Sequence, residues 1–309
     1  MKIETSQIIL AQSEAGAGKR GASLGTTALL FELKEQGCPL PENIIYTTQY
    51  NDQIENEKPS FGKHVKIVLK AAIDLEAKMR LALFKNNSCF ILSGDHSNAA
   101  ASVSAFSNHF GVENCGLIWI DAHADLHTPY TTPSGNFHGM PVAAILGLNK
   151  NSDRKIPDEI AEIWKVLINL GSSNLPKILP ENIVFIGIRD LEEAEWKVIH
   201  LLGITYFTPK DIAEIGIASI IEKTKNKLEH LNHWYVSFDA DSIDPKISAG
   251  TGTPVNKGLT DAETLFCIDS LLKDKKTACF EITEINPLLD RENMMAKFIA
   301  KQLTLANKN

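Results

Sequence analysis

Positive charge is in short supply in this chain: 31 lysines and arginines stand against 38 aspartates and glutamates, a formal net charge of -7. Nucleic acid and anionic membrane both reward basic patches, so neither is expected as the main partner. Cysteine is sparse as well. The five residues, at 38, 89, 115, 267 and 279, are odd in number and form no C-x-x-C pair, which argues against a disulfide scaffold and for free thiols in a reducing compartment. No apolar run approaches membrane-spanning length, and the stretch from Met1 to Thr5 carries an acid early with no long apolar segment behind it; a cytoplasmic protein is the expectation. A Pro/Gly/Ser-rich linker and internal repeats are missing too, which leaves no evident place to divide the chain.

What is present is the composition of a protein with a sizeable core: 309 residues, 44% hydrophobic and 22% charged. Short β-branched runs alternate with longer helix-like segments, the pattern of a parallel sheet covered by helices. Strands are expected at 8–10, 44–46, 89–92, 117–120, 183–188, 205–207, 234–238 and 278–282, and helices at 26–36, 62–85, 98–110, 192–202, 209–231, 261–271 and 291–305. The polar stretches 49–60 and 150–155 read as loops. The predicted fold class is α/β, a single doubly wound domain over residues 1–309 with a mainly parallel sheet and helices on both faces.

Two clusters carry the chemistry. Asp121-Ala122-His123-Ala124-Asp125 ends one strand-like run, and Ser237-Phe238-Asp239-Ala240-Asp241 ends another. In extended backbone alternate side chains share a face, so Asp121, His123 and Asp125 are expected to converge, as are Asp239 and Asp241. Most aspartates cap helices or sit on solvated loops. These follow strands, at the edge where open parallel sheets bind ligands, and the run 89–92 delivers Ser93-Gly94-Asp95-His96 to the same edge. Four carboxylates and an imidazole are costly to gather unless a positive group neutralises them, and a pair of divalent metal ions would do so. Carboxylate-rich ligation with two imidazoles suits Mn²⁺ or another borderline divalent ion and is too oxygen-rich for structural zinc.

These residues resemble the ureohydrolase family of arginases, agmatinases and related guanidino hydrolases. The likeness rests on Gly94-Asp95-His96-Ser97, the two acid clusters, Asp244-Pro245, Gly250-Thr251-Gly252-Thr253-Pro254 and Glu281-Ile282-Thr283-Glu284-Ile285-Asn286-Pro287. The segment 128–139 is similar to the arginase substrate loop. The resemblance implies two Mn²⁺ ions, one held by His96, Asp121, Asp125 and Asp239 and the other by Asp121, His123, Asp239 and Asp241, with Asp121 and Asp239 bridging. It also implies attack of a bridging hydroxide on a guanidinium oriented by Glu284, with Asp125 relaying a proton and His138 shuttling protons to solvent. For arginine as substrate, with ornithine and urea as products, His127, Thr132 and Ser134 would take the α-carboxylate and Glu192, assisted by Glu195, the α-ammonium. Agmatine, guanidinobutyrate and formiminoglutamate are the alternative substrates on the same scaffold. The partner expected is thus a small guanidino compound, and by analogy the chain forms a homo-oligomer, a trimer or hexamer. Three positions depart from the arginase pattern: Ser93 stands for a glycine, His127 for an asparagine and Glu192 for an aspartate.

Other motifs point elsewhere. Gly16-Ala17-Gly18-Lys19-Arg20-Gly21 matches G-x-G-x-x-G, but the next strand-like run ends without the ribose-binding acid that a dinucleotide fold needs. It reads instead as a glycine-rich rim of the active site. Gly21-Ala22-Ser23-Leu24-Gly25 matches G-x-S-x-G with only one strand before it, too few for the elbow of an α/β-hydrolase, and Ser23 reads as a helix N-cap. His64, His109, His200, His230 and His233 lie away from the acids and are expected to be structural. A metal-dependent deacetylase would need a tandem His-His dyad that is not present.

Overall fold

In the computed structural model, which describes residues 1–55, 61–150, 152–172 and 175–308, every expected strand forms. They are β1 (Gln7–Ala11), β2 (Ile44–Tyr46), β3 (Cys89–Ser93), β4 (Cys115–Ile120), β5 (Ile183–Ile186), β6 (Thr205–Phe207), β7 (His233–Asp239) and β8 (Thr277–Thr283). They make one 8-stranded sheet in the order β2-β1-β3-β8-β7-β4-β5-β6. All pairings are parallel. β5 stops at Ile186, short of the expected 188, because Gly187 turns the chain with φ of 91°, a conformation that glycine adopts without a Cβ penalty.

The interior strands read as continuous apolar runs because both faces are covered. Alternate residues divide between two cores. Ile9, Ile91, Leu117, Trp119, Phe185 and Tyr235 pack against the helices α2 (Val65–Asn86), α3 (Ala99–Phe110), α4 (Pro141–Ile145), α5 (Asp158–Ile168) and α6 (Glu193–Leu202). Ile8, Leu10, Phe90, Ile118, Val236, Phe238 and Phe280 pack against α1 (Ala22–Glu35), α7 (Pro209–Ile215), α8 (Ile217–Lys227), α9 (Asp261–Leu272) and α10 (Met294–Lys308). The doubly wound arrangement follows from that period of two.

Several helix expectations need correction. α4 and α5 were not anticipated, although Ile160, Trp164, Leu167 and Ile168 are buried at helical spacing. The segment 209–231 is two helices, parted by Gly216 with φ of 78°. α10 starts later than 291, since Glu292 and Asn293 both adopt positive φ. α1 begins before Ser23, with Gly21 at its N-cap and φ of 119°. The buried carboxylate of Glu14 does the capping, accepting from the backbone N–H of Gly21 (2.8 Å) and of Ser23 (3.0 Å), so Ser23 is not the N-cap. The loop expected at 49–60 contains a single 3₁₀ turn, Asn51–Gln53, and its residues 56–60 lie outside the described residues, as does 151 in the loop 150–155. All five cysteines are buried and none is in a disulfide. Among the described residues no helix is long and apolar enough to cross a membrane.

The chain lays β7 and β8 between β4 and β3, which places the C-terminal ends of four central strands side by side. Gly94, just after β3, ties that strand's loop to the ends of β1 and β8. Its N–H donates to the Ala11 carbonyl (2.8 Å) and its carbonyl accepts from the Glu284 N–H (2.9 Å). A Cβ at this position would overlap the Ser13 carbonyl oxygen, so Gly94→Ala should lower unfolding stability by about 1–3 kcal/mol and loosen the loop that carries His96. Chemical denaturation together with metal titration checks both effects; unchanged values would show that the backbone yields there at no cost.

Candidate active site

The strand ends deliver their side chains through turns rather than along the pleat. β4 ends at Ile120, and the chain from Asp121 to Asp125 bends, with Asp125 at φ of 52°. Asp239 is the last residue of β7 and Asp241 lies in the 3₁₀ turn Ala240–Ser242. The convergence expected of these acids is therefore real, but its cause is different: the first carboxylate of each cluster accepts the N–H two residues on, Asp121 Oδ1 from His123 N (2.7 Å) and Asp239 Oδ1 from Asp241 N (2.7 Å). Such Asx-type bonds fold the turn and aim the second oxygen inward.

Two ligand groups result. His96 Nδ1 stands 3.1 Å from Asp121 Oδ2, 3.2 Å from Asp125 Oδ2 and 3.0 Å from Asp239 Oδ2. His123 Nδ1 stands 3.4 Å from Asp121 Oδ1 and 3.0 Å from Asp241 Oδ2. Asp121 thus turns one oxygen toward each group, as a bridging ligand does. His96, Asp121 and Asp239, and separately Asp121, His123 and Asp241, have donor atoms close enough to share an ion.

A metal pair fits these residues on two counts. First, His96 Nδ1 is buried among three carboxylates without a hydrogen bond, while His96 Nε2 bonds Ser237 Oγ at 2.8 Å. Burial would lower the His96 ring, but the three carboxylates override it and raise it well above its ordinary value; a cation at Nδ1 would take the place of that proton, with Nε2 still held by Ser237. Second, the acids are crowded beyond what the two imidazoles relieve. Burial and the neighbouring Asp121 hold the Asp125 carboxyl at about 6. Burial, reinforced by neighbouring aspartates, also raises Asp239 and Asp241. Burial would raise Asp121 too, but bonds from His123 and His96 override it and push it down. Cations between these groups would remove the repulsion.

Beside the cluster, Glu284 adopts φ of 63° directly after β8, a left-handed conformation of the kind stored at functional sites. It accepts from the His96 N–H (2.9 Å) and bonds His138 Nδ1 (3.1 Å). Burial alone would lower the His138 imidazole, but Glu284 overrides it and holds the ring at about 9, so His138 stays protonated above the neutral range expected for a shuttle. The glycine-rich segment lies behind the site and does not line its cavity: Asp95 Oδ2 accepts from Gly16 N (2.7 Å) and Ala17 N (3.1 Å), and Gly16 O accepts from His138 N (3.1 Å).

One cavity of about 270 Å³ gathers His96, His123, Asp125, Asp239, Asp241 and His138 at its inner end with His127, Thr132, Ser134, Glu192 and Glu195 on its walls. Asp121 and Glu284 are buried beneath its lining. Glu195 is enclosed, its oxygens accepting from Leu126 N (3.2 Å) and Glu192 N (3.0 Å), and burial with the adjacent Glu192 lifts its carboxyl to about 9. Glu193 instead pairs with Lys197 on the surface. None of the five histidines expected to be structural lines this cavity.

Other contributors carried no functional reading in the sequence. Glu281, fully buried in β8, accepts from Ser237 Oγ (2.9 Å) and Tyr235 OH (3.0 Å). It stands behind the serine that fixes His96. An acid alternating within an apolar strand was the available signal. Trp119 stacks on the His96 ring at 4.0 Å and donates to Asp121 Oδ2 (3.0 Å). The buried part of Arg189 ties the loop after β5 to the carbonyls of Asp241 (2.7 Å) and Val255 (2.9 Å), and Thr253 Oγ1 donates to Asp241 Oδ2 (2.9 Å).

A parallel α/β sheet with a carboxylate-histidine centre able to hold two ions at its C-terminal edge defines the class of metal-dependent hydrolases. The chain belongs to the arginase family, whose model matches residues 6–306. It is 31% identical over 299 residues to arginase from Bacillus subtilis (strain 168), covering 95% of this chain and 94% of that protein. With human arginase-1 it shares 34% identity over 303 residues, 94% of this chain and 87% of the relative. The crystal structure of arginase from Bacillus subtilis superposes with a TM-score of 0.84 at 29% identity, covering 99% of both chains.

Because Asp121 serves both groups, Asp121→Asn should keep the circular dichroism of the folded protein but lose metal-dependent thermal stabilisation, which for a bound ion at 100 times its Kd is about 2.7 kcal/mol. Two ions retained by elemental analysis would contradict the shared ligand. In the chelated protein the pair His138–Glu284 should show a definite pH dependence. The ring titrates near 6.5 when unfolded and near 9 when folded, so its stabilisation is complete below the first value and is lost as pH rises through the second. NMR titration of His138 should find the higher value in the wild type and a fall in Glu284→Gln.

Proposed function

We propose that the protein hydrolyses the guanidinium group of L-arginine to L-ornithine and urea with two manganese ions. The observation that carries the reading is the cavity itself, with a shared carboxylate, Asp121, under two ligand groups at one end and polar residues suited to an α-amino acid on its walls. His96, Asp121, Asp125 and Asp239 would hold one ion and Asp121, His123, Asp239 and Asp241 the other. When bound, the ions supply Lewis-acid charge and an activated water at neutral pH.

The protein's own groups do the rest. Guanidinium spreads its charge over three nitrogens and is a poor electrophile, so orientation matters. The Glu284 carboxylate pairs with it and exchanges the His138 imidazole for a substrate cation. Asp125 takes the proton of the attacking water and passes it to the leaving amine. His138, released from Glu284, returns the balance of protons to solvent. On the wall, hydroxyls of Thr132 and Ser134 and the His127 ring face the α-carboxylate, and Glu192 faces the α-ammonium.

Removing the substrate carboxylate strands those donors, which should cost roughly 10²-fold or more in kcat/KM. The manganese-loaded protein is therefore expected to release urea from L-arginine with ornithine as co-product, and to favour arginine over agmatine by that margin. A preference for agmatine would overturn the assignment.

A further inference from the structure

The wall residues assigned to the two ends of an α-amino acid are bonded to each other. His127 Nε2 lies 2.8 Å from Glu192 Oε2, and its Nδ1 lies 3.2 Å from Thr131 Oγ1. The bridge joins the loop after β4 to the loop after β5 across the cavity. A substrate tail that uses either residue must first part the pair.

The two partners lose unequal amounts when it parts. The His127 side chain is 9% exposed and that of Glu192 is 57% exposed. A solvated carboxylate released to water forfeits little, since exposed ion pairs contribute about 0–1 kcal/mol. The buried imidazole has no such refuge. Glu195 Oε2, at 3.5 Å from His127 Nε2, is already accepting from the Glu192 N–H, so it replaces Glu192 poorly. A tail carboxylate solves the problem by taking the place of Glu192 on the ring. A tail ammonium, drawing Glu192 away, leaves a buried ring nitrogen without its acceptor.

Resting on the hydrolase reading above, we infer that the His127–Glu192 bridge makes a tail carboxylate the required recognition element and the α-ammonium dispensable. The substrate class is then the ω-guanidino acids, with or without an α-amino group. An aspartate and an asparagine at these positions, the arginase pattern, would leave the acid free for the ammonium.

The test is kcat/KM of the manganese-loaded protein for L-arginine, 4-guanidinobutyrate and agmatine, beside calorimetric binding of the same three compounds. The expected result places 4-guanidinobutyrate within about 10-fold of arginine and agmatine at least 10²-fold below both. His127→Asn, which frees Glu192 for the ammonium, should raise the arginine to guanidinobutyrate ratio about 10-fold, with circular dichroism confirming the fold. Guanidinobutyrate falling 10²-fold below arginine, agmatine matching it, or a ratio unmoved in His127→Asn would each overturn the inference while leaving guanidinium hydrolysis intact. If no compound is hydrolysed, the hydrolase reading fails, and the calorimetric order of the three tails still decides the role of the bridge.

Discussion

Mutual repulsion of Asp121, Asp125, Asp239 and Asp241, all buried at the C-terminal edge of the sheet, is the constraint on which the rest of the structure depends. Left alone, four such groups would protonate or part, since a buried charge without a counter-charge is far costlier than a solvated one. The fold holds them together by spending one oxygen of Asp121, Asp239 and Asp241 on a backbone N–H and by setting all four against two imidazoles. Each imidazole is itself held in place, His96 by Ser237 and the Trp119 face, His123 between Asp121 and Asp241. What remains is an arrangement short of positive charge, with an unbonded Nδ1 at its centre.

The sheet exists in the order that serves this centre. Inserting β7 and β8 between β3 and β4 brings residue 96, the segment 121–125, the segment 239–241 and residue 284 to one edge. Hydrophobic burial on both faces supplies the driving force, and the period of two keeps the polar cargo at the strand ends. Glu281 in β8 and Ser237 in β7 are exceptions within strands; Glu281 is the acid of the two. It sits beneath Ser237 as an acceptor, which orients the hydroxyl toward the carboxylate and leaves its lone pairs for the His96 Nε2 proton. The support of the candidate ligand His96 thus reaches through Ser237 to Glu281 in the core.

At the other end of the cavity the same physics works in the opposite sense. There the charges are few, and His127 has taken Glu192 as an internal partner. Substrate choice becomes a matter of exchange, a ligand group replacing a protein group on a buried ring, rather than of free donors waiting to be filled. His138 and Glu284 form a second such pair, which on the proposed reading the guanidinium opens. Both pairs satisfy ring nitrogens that burial would otherwise leave without a partner.

The sequence by itself determined the α/β class, all eight strands, and the residues of both acid clusters, because these are local: a β-branched run followed by a turn-forming aspartate carries its own signal. It determined the family likeness for the same reason. It did not determine where α1 starts or that 209–231 breaks at Gly216, since capping by Glu14 and a glycine in positive φ depend on neighbours distant in the chain or on backbone geometry. Nor did it show that His127 would bond Glu192, that Glu284 would hold His138 above neutrality, or that Glu281 would stand behind His96. The first two contacts join residues 65 and 146 positions apart and the third runs through Ser237, 141 positions from His96 and 44 from Glu281, and only the closing of the sheet, driven by burial on both faces, sets which distant side chains come within bonding distance.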